Sequence, residues 1–238
     1  LIEIAVHTAD GRAPIVAATG TNCTRESISL SEAAQKAGAS AILVATPYYN
    51  KPNQAGRCRH YSEIARAVDL PLILEADPSR AAIDMSSETL AQLAGIPKIV
   101  GIEDVAAGGS RWRDGAFSSR GNFAHLSGDD EDCVQFRLAG GAASISIVAN
   151  VVPKLWAAIQ RAINARDWER AASAQAKLRP LLGALALEPN PGPIKHALSL
   201  LHPWFSSQMR LPLTPVSRAT GAAICEALGP FREHSIFD

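Results

Sequence analysis

The stretch Ala41-Ile42-Leu43-Val44-Ala45-Thr46-Pro47-Tyr48-Tyr49-Asn50 decides how this chain is read. Five apolar residues run on without polar alternation, and hydroxyl, phenol and amide side chains follow at once. A short continuous apolar run is the pattern of a strand covered on both faces of a parallel sheet. Polar groups gathered just past such a strand are what an active site at the C-terminal rim of a barrel needs.

Outward from there the same arrangement recurs. Strands are expected at 14–18, 41–46, 71–75, 99–103, 123–127 and 144–148, and Asp77-Pro78-Ser79-Arg80, Glu103-Asp104 and Ser127-Gly128-Asp129-Asp130 follow three of them. Helices are expected between them: one capped by Thr24 and ended by Gly38, one over 54–68, one over 86–93 closed by Gly95, and a short one over 131–139 behind Asp130. Beyond 148 the pattern turns to helices alone, starting at Pro153, at Asp167 and at Pro215, with 188–193 a turn between two of them. Strand alternating with helix signals an α/β fold with a parallel sheet. No G-x-G-x-x-G or P-loop follows any strand, so the common nucleotide-binding reason for a doubly wound sheet is missing and a barrel is favoured. The stretch 108–120, rich in Gly, Ser and Arg around Trp112-Arg113, departs from a regular helix and reads as a loop or an altered one.

Composition narrows the function. The 238 residues are 47% hydrophobic and carry 23 basic against 23 acidic side chains, which gives no electrostatic reason to expect nucleic acid or an anionic membrane as partner. No apolar run reaches the roughly 18 residues of a membrane-spanning helix, and residues 1–11 lack the pattern of a signal peptide. A neutral cytoplasmic protein is expected. Cys23, Cys58, Cys133 and Cys225 are widely spaced, and the six histidines form no helical pair, so no transition-metal site is expected.

The strand ends carry a resemblance. Gly20-Thr21-Asn22, the segment from Thr46 through Tyr48-Tyr49-Asn50 to Pro52, Pro78-Ser79-Arg80, Gly101-Ile102, Ser127-Gly128-Asp129-Asp130, Ala149-Asn150 and Glu188-Pro189-Asn190-Pro191 occur in order. Their spacing resembles the dihydrodipicolinate synthase/N-acetylneuraminate lyase family, from about residue 4 to residue 228. The resemblance implies an α/β fold, a (β/α)8 TIM barrel of the class I aldolase type with a C-terminal helical region. It implies that the first two βα units lie outside this chain, with a partial (β/α) barrel over 1–152 and helices completing and extending it over 153–238. The family reaction it implies is pyruvate condensation with aspartate semialdehyde in lysine biosynthesis, through a Schiff base between the keto acid and a lysine. No cofactor is implied. The partners implied are a small 2-keto acid such as pyruvate and further copies of the chain, as a dimer or tetramer.

Carried over position by position, Tyr49 matches a tyrosine that reaches across a dimer interface into the neighbouring site, and Arg80 matches the arginine that binds a substrate carboxylate. Gly128 and Ile145 match positions lining the pyruvate pocket. Asn22, Glu26 and Tyr48 match part of a site where some synthases bind lysine as an effector.

Two positions depart from the family. Where its pattern places the Schiff-base lysine after Gly101-Ile102, this chain has Glu103, and a carboxylate cannot form an imine. Where it places the second proton-relay tyrosine, this chain has Glu75. Lys98, Lys51 and Lys195 are poorly placed to substitute: one precedes its strand, one follows the tyrosine pair in a loop, and one belongs to a helix outside the barrel. The expected catalytic positions are thus Tyr49, Glu75 and Glu103, with Schiff-base activity lost or altered. Two alternatives stand beside that reading: a non-catalytic subunit binding a carboxylate metabolite or serving assembly, and a metal-assisted keto-acid lyase using the acidic residues at the strand ends.

Overall fold

The computed structural model describes residues 1–105 and 123–234. The stretch 108–120, with Trp112-Arg113, lies outside them. The described residues divide into two compact units, one of 1–129 with 138–144 and one of 130–137 with 145–238.

The first unit is built on parallel strands β1 (Val16–Ala18), β2 (Ala41–Ala45), β3 (Leu72–Ala76), β4 (Ile99–Asp104), β5 (Ala124–Ser127) and β6 (Ala143–Ser144), hydrogen-bonded in the order β1-β2-β3-β4-β5-β6. Every neighbouring pair is parallel. Strand order that never reverses is barrel winding, because a doubly wound sheet has a switch point where the order turns back. Helices α1 (Ile2–Ala9), α2 (Thr24–Lys36), α3 (Gln54–Ala67), α4 (Pro78–Ala81) and α5 (Ser87–Leu93) lie between or before these strands.

Burial along the strands alternates with period two. On β3, Leu72, Leu74 and Ala76 are buried while Ile73 and Glu75 are half-buried, and on β2 Ile42 and Val44 are buried. The buried set joins Ala34, Tyr61, Ile64 and Leu93 from the helices, and Val68 just past α3, in one apolar cluster. Burying each such side chain contributes on the order of 2 kcal/mol, so this layer holds the helices to the sheet. The alternate positions, Glu75 among them, occupy the other face.

Glycine makes one close approach here unavoidable. A Cβ at Gly101 on β4 would stand 2.5 Å from the Ala124 carbonyl oxygen on β5, so no side chain fits between these strands.

The second unit is helical: α6 (Cys133–Leu138, all but its last residue), α7 (Pro153–Asn164), α8 (Trp168–Leu185), α9 (Gly192–Leu201) and α10 (Arg218–Ala227). Trp156, Ile159, Ile163, Leu178, Leu181, Ile194, Ala197 and Ile224 form its core with Val134. Asp167 caps α8 by accepting from the Arg170 amide, and Pro153 opens α7, as the sequence leads one to expect.

Four local expectations need correction. The run 144–148 is strand only at its start, because Asp130 Oδ2 accepts from the amides of Ile147 (3.1 Å) and Val148 (2.8 Å) and draws them out of the ladder into a 3-10 turn over Val148–Asn150. Asp130 therefore does not cap the helix behind it, which begins only at Cys133. Thr24 is the first helical residue rather than the cap, and its hydroxyl is taken by His60 Nδ1 at 2.9 Å. Pro215 precedes the last helix, which Ser217 caps by accepting from the Thr220 amide.

Candidate active site

Two adjacent strands set the centre of the site. Glu75 on β3 and Glu103 on β4 are register partners, next to each other on the same face of the sheet near its C-terminal edge. Parallel strands lie about 4.8 Å apart, so the carboxyl stems start close together. Glu103 is only 6% exposed. Burial, then the charges of Glu75 and Asp77, push its pKa up to about 7. Burial and Asp77 also raise Glu75, with the guanidinium of Arg80 working against them. Glu103 thus costs more to ionise because it is buried and because Glu75 and Asp77 are there.

Gly128 admits the Glu103 side chain. A Cβ at that position would stand 2.8 Å from Glu103 Oε1 and 2.7 Å from a Val105 methyl. The carboxylate of Glu103 thus lies against one of the two positions that the sequence resemblance assigns to the pyruvate pocket. The other, Ile145, is half-buried and belongs to the second unit.

Asp77 and Arg80 come from the turn after β3. Asp77 is buried and caps α4, its Oδ1 accepting from the amides of Ser79 (3.0 Å) and Arg80 (3.2 Å) and from the Ser79 hydroxyl (2.5 Å). Its Oδ2 lies 3.3 Å from Arg80 Nε. Arg80 pairs with Asp77 rather than with Glu75, and its side chain stays 64% exposed. Sequence reasoning missed the role of Asp77, although Asp followed by Pro is a readable cap signal.

A cleft of about 870 Å³ opens beside these groups, lined by Thr46, Tyr48, Tyr49, Glu75, Asp77 and Arg80 among others. Tyr49 stands 88% exposed with a left-handed backbone, φ 66°. A bulky residue at positive φ carries strain, a pattern that clusters at functional positions. Behind the cleft, Thr46 Oγ1 donates to the Glu75 carbonyl (2.8 Å) and so accepts from the Tyr61 hydroxyl (3.0 Å). Tyr61 is fully buried, and burial holds its phenol protonated well above the ordinary range. Nothing in the linear motif announces this pair, because Tyr61 lies on α3 and meets Thr46 only through the packing of helix on sheet.

The remaining candidates fall at the edge. Tyr48 lines the cleft and is 42% exposed; Asn22 touches its neighbourhood through Asn50 Nδ2, which donates to the Asn22 carbonyl at 2.9 Å; Glu26 is exposed in the first turn of α2. Of the lysines, Lys98 is tied to the Val68 carbonyl and Asp69 at the opposite end of the strands, and Lys195 donates to the Gln208 carbonyl in the helical unit. Lys51 lines the cleft but is exposed beyond Tyr49, with a left-handed φ of 44°. Among the described residues no three His, Cys, Asp or Glu side chains come together in a metal-holding arrangement. No helix among them is long and apolar enough to cross a membrane.

Parallel strands in unbroken order, with charged groups at their C-terminal edge and helices following, define a TIM-barrel-type α/β protein with a rim site. Comparison with known proteins narrows this. The model of the dihydrodipicolinate synthetase family matches residues 1–228, and the chain belongs to that family. It is 43% identical over 229 residues to the 4-hydroxy-tetrahydrodipicolinate synthase of Acidiphilium cryptum, covering 96% of this chain and 78% of that protein. The chloride-inhibited dihydrodipicolinate synthase of Acinetobacter baumannii, solved with pyruvate, superposes with a TM-score of 0.92 at 39% identity, over 98% of this chain and 80% of that one. The dihydrodipicolinate synthase of Aquifex aeolicus gives 0.93 at 33% identity, over 99% and 80%.

Proposed function

We propose that this chain keeps the family's carboxylate-binding cleft but forms no Schiff base, so that it binds a small carboxylate metabolite without the covalent step of pyruvate condensation. The observation that carries this is Glu103: the family-matched position for the amine holds a carboxyl group, 6% exposed. An imine needs a nitrogen nucleophile with a free electron pair, and no ionisation state of a carboxyl group supplies one. Lys98 and Lys195 are engaged elsewhere, which supports the same reading.

Arg80 supports retention of binding. Asp77 engages Nε, and the two Nη groups remain for a ligand carboxylate in the cleft. Tyr49, exposed and strained at the cleft's edge, supports association with a second copy.

The test is a condensation assay with pyruvate and aspartate semialdehyde alongside an equilibrium titration with pyruvate. The reading expects no pyruvate consumption, and saturable pyruvate binding that the Arg80→Ala variant loses. Turnover by the purified chain would refute it.

A further inference from the structure

Arg57, at the end of the first turn of α3, is a buried cation. The residue is 5% exposed, and among the described residues no carboxylate pairs with it. A guanidinium taken out of water without a counter-charge is costly, and an apolar side chain would fill the same space at lower cost. What this side chain does is reach two loops. Its Nε donates to the Pro52 carbonyl at 3.0 Å, and its Nη1 donates to the Asp84 carbonyl. Gln54, three residues earlier on the same helix, strengthens the second tie. Its Nε2 donates to the same Asp84 carbonyl at 3.2 Å, and its Oε1 accepts from the Ser86 amide (3.2 Å) and the Thr89 hydroxyl (2.7 Å).

The two carbonyls lie at the feet of the two walls of the cleft. Pro52 follows the run that supplies Tyr48, Tyr49 and Lys51, and Asp84 stands two residues beyond Ala82 in the segment that supplies Arg80. Each wall meets its clamped residue through a left-handed one, Lys51 at φ 44° and Ala82 at φ 56°. Residues other than glycine keep that conformation where the surroundings over-determine it. Hydrogen bonds from one side chain to the backbone just past each of them supply that determination. Tyr61, one turn along α3, feels the charges of both Glu75 and Arg57, so the guanidinium stands within electrostatic reach of the cleft. Arg57 is not among the residues lining it, and acts through those that are.

Resting on the proposed carboxylate-binding cleft, we infer that Arg57 is its positioning residue: one guanidinium sets the spacing between the wall bearing Tyr48 and Tyr49 and the wall bearing Arg80. It thereby sets how tightly the cleft holds a small carboxylate. A planar, rigid fork suits this task, because its donors hold two acceptors at a fixed separation and angle, which a flexible ammonium does not.

The experiment compares the purified chain with Arg57→Met, which keeps an unbranched stem and removes every donor, and with Arg57→Lys, which keeps the charge and one point of attachment. Each protein is titrated calorimetrically with pyruvate, and hydrogen–deuterium exchange is followed in peptides over 46–53 and 78–86. Arg57→Met is expected to bind pyruvate ten-fold or more weakly and to exchange ten-fold or more faster in both peptides, while a peptide from α7 keeps its rate. Arg57→Lys should fall between, and it carries both readouts if Arg57→Met does not fold. Unchanged affinity in the folded variants overturns the inference. Weaker binding with unchanged exchange in both peptides overturns it too, since the walls would then be held without Arg57. Exchange that rises equally everywhere would make Arg57 a stabiliser of the fold alone. Pyruvate binding that is absent from the unaltered chain, or that survives Arg80→Ala, overturns the carboxylate-binding role itself, and the exchange rates then decide whether Arg57 holds the two walls.

Discussion

Glu75 and Glu103 are register partners on neighbouring parallel strands, two carboxyl groups on one face where the family pattern places a phenol and an amine. Burial, and after it the neighbouring carboxylates, makes both groups reluctant to ionise, and this gives the fold a pH dependence that can be measured.

The first prediction concerns that dependence. The folded chain holds the Glu103 proton more tightly than the unfolded chain does, its pKa raised from 4.5 to about 7. Stability is therefore lost as the pH rises from 4.5 through about 7, by about 3 kcal/mol at most, with Glu75 acting in the same direction. Urea unfolding at a series of pH values should show this fall, and Glu103→Gln should flatten it and be the more stable protein at high pH. A stability that rises across that window would rule out the raised pKa.

Gly128 and Glu103 should be energetically coupled. A methyl group at position 128 collides with Glu103 Oε1 and a Val105 methyl, so Gly128→Ala should cost about 1–3 kcal/mol. In a Glu103→Ala background one of the two collisions is gone and the cost should shrink by about 1 kcal/mol. A double-mutant cycle by denaturant unfolding reads this directly, and strict additivity would contradict the contact.

Gly101→Ala tests the sheet beneath the site. The added Cβ meets the Ala124 carbonyl 2.5 Å away, and backbone of a neighbouring strand cannot swing aside as a side chain can. A loss of about 3 kcal/mol or failure to fold is expected, larger than that of Gly128→Ala. Equal costs would show that β4 and β5 are spaced more widely.

Asp77→Ala removes a helix cap and the partner of Arg80 together. The loss of the Ser79 and Arg80 amide contacts should cost about 1 kcal/mol. Carboxylate affinity should fall without vanishing, since Arg80 remains but is no longer held. Titration with pyruvate separates the two: an affinity loss equal to that of Arg80→Ala would show Asp77 itself contacting the ligand.

Much of the barrel was legible because its signals are local. The apolar run at 41–46 differs from its strand by one residue at one end and that at 71–75 by one residue at each end, while α3 and α5 each fall within one residue of the ranges 54–68 and 86–93. What escaped depended on distant partners. The strand expected at 144–148 is broken by the carboxylate of Asp130, far back in sequence, and the Thr24 hydroxyl is diverted to His60 on another helix. At the site, Glu75, Glu103 and Arg80 could be named from motif positions, but the choice of Asp77 over Glu75 as the partner of Arg80 follows from the α4 turn geometry. The Tyr61–Thr46 pair has no linear signature at all.

The central claim is that this chain cannot form an imine with a keto acid. Intact-protein mass spectrometry after incubation with pyruvate and borohydride tests it, beside an active synthase as positive control. The account predicts an unmodified chain while the control gains the reduced pyruvyl adduct. A stable adduct on this chain, mapped to any lysine by peptide analysis, would contradict it.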